Sequence, residues 1–241
     1  MLRGAIRCVD AGPESGHHPF TMKRDVTVLG IVGSYRKGGT IDSVVDEILE
    51  SARLKGASTR KIHLIDLHIE FCTNCRTCSQ QEGSEPGECI HQDEMAPLLE
   101  SIRQADALVF GSPMNFGTVT AVTKRFIERL MCLAYWPWGM KVPKMRSPRT
   151  DKPAVIVASS AAPALFFLWS GGLLKLMRQT VTLLGAHPIG EVRVGLAGMK
   201  RKTSLSPRTL AKARRLGALL VARVPDRTGA VPPDQKLKTA V

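Results

Sequence analysis

The sequence predicts an α/β fold, a three-layer sandwich with a five-stranded parallel sheet between helices. Two observations carry this. Apolar runs of strand length alternate with amphipathic helical stretches about five times between residues 25 and 224, an order that builds strand–helix–strand units. No internal repeat divides the chain, and 44% apolar residues suffice for one core, so a single domain is expected over 25–224.

The elements follow in order. "VTVLGIVG" (26–33) reads as a buried strand and "TIDSVVDEILESARLKGA" (40–57) as an amphipathic helix ending near Gly56. "STRKIHLID" (58–66) is a second strand, and a cysteine-rich loop (71–92) follows. Asp93 is a natural N-cap for "EMAPLLESIRQAD", with Pro97 tolerated only in the first turn. "ALVFGSP" (107–113) is the third strand and "VTAVTKRFIERLMCLA" (119–134) the third helix. A fourth strand (154–160), a helix (172–184), a fifth strand (187–196) and a last helix (206–224) with Pro207 in its first turn complete the pattern. Residues 1–24 and the Pro-rich basic tail 225–241 are expected to be disordered, and Met22 is a candidate start.

Composition excludes several classes. No apolar run reaches the roughly 18–20 residues of a membrane span, and the N-terminus lacks the apolar core of a signal peptide. A cytoplasmic protein is expected, where clustered cysteines serve as ligands or redox groups. The net charge is +13, and residues 200–241 hold 11 basic residues against 2 acidic ones. No aromatic interleaves with these charges as base stacking requires, so nucleic-acid binding is not expected.

In an open parallel sheet, ligands sit at the carboxyl ends of strands. The first such loop, "GSYRKGGT" (33–40), joins a strand to a helix N-terminus, where free N–H groups and the helix dipole favour an anion. Ser34 and Thr40 offer hydroxyls, Arg36 a fork and Lys37 a second cation, while Gly38 and Gly39 allow close approach. It is neither a P-loop nor a dinucleotide turn. In the second loop, "GSPMNFG" (111–117), Phe116 and Met114 can lie against a flat ring. The third, "SSAAPALF" (159–166), is small and apolar.

Cys72, Cys75 and Cys78 are spaced C-x2-C-x2-C, with Cys89 eleven residues beyond Cys78. Four thiolates from one irregular loop satisfy a [4Fe–4S] cluster. Zinc, with His91 as a substitute ligand, and metal-free thiols remain alternatives. Cys132 reads as a small core residue.

The run "GIVGSYRKGGT", the cysteine segment ending in "QDEM", and "ADALVFGSPMNFGTVTAVTKRFIERL" together resemble the NADPH-dependent FMN reductase superfamily, and the cysteines its iron–sulfur flavoprotein branch. The resemblance implies a flavodoxin-like fold, FMN, and a homodimer or homotetramer, with "AYWPWGMKVPKMRSPR" (134–149) a candidate subunit contact. It implies that Ser34, Arg36, Lys37, Gly39 and Thr40 hold the FMN phosphate. Pro113, Met114, Asn115, Phe116 and Gly117 would line the isoalloxazine, with Ser159 and Ser160 closing its far side. It implies that Cys72, Cys75, Cys78 and Cys89 bind the cluster. The chain departs from the family where Ile41 replaces a hydroxyl, Tyr35 a proline and Asn115 an aromatic, and its gap before Cys89 is longer.

The function expected is an FMN-dependent oxidoreductase that passes electrons from NAD(P)H or a small organic substrate through FMN and a [4Fe–4S] cluster. Alternatives are an FMN and iron–sulfur dehydrogenase of a small cyclic substrate in a biosynthetic pathway, and a non-enzymatic electron carrier like flavodoxin. The basic charge counts against the carrier, since flavodoxins tend to be acidic. No side chain reads as an obligatory acid or base, so the chemistry is expected on FMN itself.

Overall fold

The computed structural model describes residues 25–146, 151–163, 165, 172–198 and 204–225. The expectations for 1–24, for nearly all of the tail and for part of the third loop fall outside these residues. Five parallel strands form the sheet: β1 (Thr27–Val32), β2 (Ser58–His63), β3 (Ala107–Pro113), β6 (Lys152–Ser159) and β7 (Ala186–Val194), in the order β2-β1-β3-β6-β7. Five helices complete it: α1 (Thr40–Arg53), α2 (Met95–Gln104), α3 (Ala121–Arg129), α4 (Gly172–Leu183) and α5 (Pro207–Arg223). The order of the first three strands reverses at β1, which puts a switch point between β1 and β3.

The inner strands are apolar on both sides because both sides are covered. Alternation sorts them: Leu29, Ile31, Leu108, Phe110 and Ile156 join Phe126 and Met177 in one core. Val28, Val32, Val109, Val155 and Val157 pack with Ile48 of α1 and Leu216 of α5 in the other. A one-residue slip would exchange the two sets, so register and core specify each other.

Several boundaries differ from the sequence expectation. The strand expected over 58–66 ends at His63, and Leu64–Asp66 is a single 3-10 turn. The first helix stops at Arg53, and its Leu54 cap precedes a turn closed by Gly56, whose N–H donates to Arg53. The third helix ends at Arg129 and tightens into a 3-10 turn, Leu130–Leu133. Met95 opens α2 with Glu94 at the cap position, one residue later than expected. Asp93 still caps it, its Oδ1 accepting the Met95 N–H at 3.0 Å. Within the tryptophan segment, β4 (Ala134–Tyr135) and β5 (Lys144–Met145) form a short antiparallel pair. None of the described helices is long and apolar enough to cross a membrane.

Candidate functional site

Main-chain bonds bring the three strand-end loops together. The Gly33 N–H donates to the Gly111 carbonyl at 2.7 Å, and the Met114 N–H to the Ser159 carbonyl at 2.7 Å. Thr120, the N-cap of α3, donates its hydroxyl to the Gly33 carbonyl at 2.6 Å, and Thr123 donates to the same oxygen at 3.1 Å. A Cβ on Gly33 would lie 1.8 Å from the Thr123 hydroxyl. Glycine is therefore required there by close approach.

In the first loop, buried Ser34 accepts the Arg36 N–H at 3.1 Å, a local turn that shapes the loop. Gly39 caps α1 without a side-chain oxygen, and Thr40 begins the helix. The cap thus leaves the first-turn N–H groups facing the loop. Arg36 and Lys37 are exposed, and Lys37 pairs with Asp66 at 2.7 Å. Such exposed pairs are weak. Sequence reasoning missed Asp42. Its buried carboxylate accepts the Gly38 N–H at 2.5 Å and pairs with Lys61 at 2.7 Å and His63 at 2.8 Å. Burial raises its pKa, but the Lys61 ammonium, the Gly38 N–H and His63 outweigh that and lower it. One loop N–H is thus already committed to an internal anion.

The second loop turns tightly. Asn115 and Thr118 exchange N–H···O bonds at 2.8 and 3.1 Å. Between them Phe116 has φ 48° and Gly117 φ 78°, the double positive φ of a type I′ turn. A phenylalanine there is strained, and its ring is fully exposed. In the third loop, buried Ser160 accepts the Ala162 N–H at 2.9 Å.

The four cysteines lie apart from this shelf, on the irregular loop after β2. Asn74 and Arg76 have φ 56° and 60°, and these left-handed residues curl the C-x2-C-x2-C run. Gly87 lets the far arm of the loop return. Its N–H donates to the Cys132 carbonyl at 2.8 Å, and a Cβ there would strike the Cys78 carbonyl at 1.7 Å. Burial, and then the charges of Cys89, Cys72 and Cys75, push the Cys78 thiol up. Cys78 is therefore within charge range of the other three. A hydrogen bond from Thr77 pulls Cys75 down. Cys132 lies behind them, pushed up to about 12 by burial and by Cys78 and Cys89, the state of an inert core thiol.

Three arginines hold this loop. Arg76 lies between Trp136 and Trp138, 4.1 and 4.2 Å from the ring centres, and donates to the Trp136 carbonyl. Arg146 is buried and donates to the carbonyls of Cys78 at 3.0 Å, Gln81 at 2.7 Å and Gly83 at 3.3 Å. Arg129 ends α3 and reaches Glu70, Asp93 and Cys89. A cavity of about 710 Å3 opens inside the loop beside Cys78, Cys89 and Arg146. A second, of about 530 Å3, shares Cys89 and reaches Arg129 and Cys132. Among the described residues no three His, Cys, Asp or Glu side chains gather closely enough for one metal ion. The sequence gives no signal for these arginines, because charged residues ordinarily mark solvated faces.

The chain matches the family model described as NADPH-dependent FMN reductase over residues 26–200. An iron-sulfur flavoprotein of Archaeoglobus fulgidus is 33% identical over 109 residues, 45% of this chain and 47% of that protein. Another from Methanocaldococcus jannaschii is 35% identical over 103 residues, 42% and 49% of the two chains. The chain thus spans about half the length of the curated relatives it matches. Among solved structures, an NAD(P)H:quinone oxidoreductase from Methanothermobacter marburgensis aligns with TM-score 0.62 at 19% identity, over 82% of this chain and 100% of that one. A flavone reductase aligns with TM-score 0.57 at 19% identity, over 83% and 63%. At these identities the structural matches establish the flavodoxin-like fold.

Proposed function

Since the chain belongs to the NADPH-dependent FMN reductase family, we propose that it is an FMN-dependent oxidoreductase passing electrons from NAD(P)H through FMN and a [4Fe–4S] cluster. Bound FMN exchanges electrons in pairs or singly, and such a cluster carries one at a time. The observation that carries the reading is α3. Its N-cap Thr120 bonds the Gly33 carbonyl of the flavin shelf, and its last residue, Arg129, touches Cys89. The helix has nine residues, so its two ends lie about 13 Å apart on one rigid element.

The chain's residues would act by binding and orientation. The 33–40 loop offers main-chain N–H groups and the exposed Arg36 to a phosphate, Arg36 by a charge-assisted bond. Phe116, held in the open by its turn, offers a face to a planar ring, with Met114 and Asn115 beside it. The cysteine set also fits its group. A cube spreads its four thiolates over four iron corners, whereas one zinc ion needs them around a point. Four cysteines on one irregular loop, with Cys78 within range of the charges of the other three, suit the cube. The exposed Trp138 and Val142 favour a homo-oligomer with a contact on the tryptophan segment.

The test is an anaerobic preparation mixed with NADPH or NADH and followed by its visible spectrum. The expected result is about one FMN released per chain on heating, and bleaching of the flavin bands by a nicotinamide. A protein with FMN that neither nicotinamide reduces would exclude the NAD(P)H reading and leave the small-molecule dehydrogenase or the electron carrier. A protein without FMN would remove the oxidoreductase reading altogether.

A further inference from the structure

Arg129 stands at the end of α3 with its side chain only 2% exposed, paired with an equally buried Asp93. Burying such a pair costs several kcal/mol per ion before the pairing returns any of it, and apolar residues of similar size often serve stability as well or better. Its contacts show what the guanidinium does there. Nη1 donates to the Glu70 carbonyl at 2.9 Å and to Asp93 Oδ2 at 2.5 Å. Nη2 donates to Asp93 Oδ1 at 3.2 Å and to Cys89 Sγ at 3.4 Å. Asp93 Oδ2 also accepts the Glu70 N–H at 2.8 Å, and Oδ1 the Met95 N–H at 3.0 Å. Glu70 lies two residues before Cys72, and Asp93 four after Cys89. One planar fork therefore ties the entry of the cysteine loop to its exit and touches the ligand thiol that is farthest along the chain.

We propose that Arg129 is a positioning residue for the cluster, fixing Cys89 as the fourth ligand by this clamp and raising the cluster's reduction potential by its N–H···S bond and its charge. The proposal rests on the cofactor reading above. Hydrogen bonds to ligand sulfur and nearby net charge are what a protein uses to set such potentials. Reduction adds an electron to an already negative group, so an adjacent cation favours the reduced state. Asp93 partly cancels that cation. The two partners should then move the potential in opposite directions, which a purely structural clamp would not do. Lysine keeps the charge but lacks the planar fork that serves Glu70, Asp93 and Cys89 together.

The full chain is prepared anaerobically as wild type, Arg129→Lys and Asp93→Asn. Each is assayed for iron and acid-labile sulfide, and its cluster midpoint is measured by an EPR-monitored titration. The expected result is a lower midpoint in Arg129→Lys and a higher one in Asp93→Asn. Each shift should be about tenfold in the one-electron equilibrium, or about 59 mV. Midpoints within twofold of wild type, or shifts of the same sign, overturn the proposal. If Arg129→Lys fails to fold or loses its iron, Asp93→Asn decides alone, and no upward shift overturns it. A wild type without iron and sulfide overturns the cluster reading and this proposal with it, whereas a clustered wild type with unshifted variants overturns this proposal only.

Discussion

The strand-end shelf and the cysteine loop are built on opposite principles. The shelf is held by the main chain and small hydroxyls: Gly33 to Gly111, Met114 to Ser159, Thr120 and Thr123 to Gly33. Its geometry is inherited from strands whose register two apolar cores determine. Beyond its single 3-10 turn, Thr77–Ser79, the cysteine loop lacks regular structure and is held from outside by Arg76, Arg129 and Arg146, which donate chiefly to carbonyl groups. A shelf that the strands already shape needs little charge to keep it, the Asp42 carboxylate that accepts the Gly38 N–H being the exception. A long irregular excursion needs donors for its otherwise unpaired carbonyls, and long planar cations provide several from one side chain.

The largest expected effect tests that difference at its most buried point. Arg129→Met leaves Asp93 charged and unpaired, and should destabilise the protein by about 3–5 kcal/mol. Chemical denaturation measures it. A loss below about 1 kcal/mol would mean that the loop does not depend on its cations.

Acid should act through the same pair. Burial opposes the charge on Asp93, but the Arg129 guanidinium and the N–H groups of Glu70 and Met95 hold its pKa at about 2, against about 3.9 in an unfolded chain. A depressed carboxylate adds stability that is complete above about pH 4 and is lost as pH falls through its folded value. The loss should be about 2.6 kcal/mol. Asp93→Asn should abolish this part of the acid slope, measured as Tm against pH between about 2 and 5.

The shelf predicts smaller losses, in binding rather than folding. Arg36→Ala should weaken FMN affinity by about 1.5–3 kcal/mol, the range for a charged hydrogen bond, and leave the denaturation midpoint of the FMN-free protein unchanged. Fluorescence titration measures the first, and unchanged affinity would remove Arg36 from the site. Phe116→Asn sharpens the comparison further. Asparagine suits positive φ, so the FMN-free protein should gain about 1 kcal/mol while its FMN affinity falls. A rise in affinity would mean that the exposed ring does not face the flavin.

The legible parts of the molecule follow the same division. β3 was readable to its ends, because a buried parallel strand is a continuous apolar run closed by a proline. The loops that follow the strands were readable from their glycines and small residues, and the run of cysteines from its spacing. β4 and β5 were not, since two residues each carry no periodicity. Arg129 reads in sequence as the basic end of an amphipathic helix, a solvated position. Only the return of the cysteine loop over α3 makes it a buried clamp. In sequence Asp93 reads as a helix cap, which it is in part, but its other bonds join residues 23 and 36 positions away. Phe116 is legible as an aromatic of a strand-end loop, though not as the strained residue of its turn. Local chemistry could be read wherever the chain contacts itself locally, and not where a long-range charge decides the structure.

Two separately built cofactor sites on one chain make a prediction of their own. The most direct measurement is the FMN, iron and sulfide content of anaerobically prepared Cys89→Ser beside wild type. The account predicts about one FMN per chain in both, with four iron and four sulfide per chain in the wild type and a full cluster absent from the variant. A full complement of iron and sulfide in Cys89→Ser, or loss of FMN together with the cluster, would contradict it.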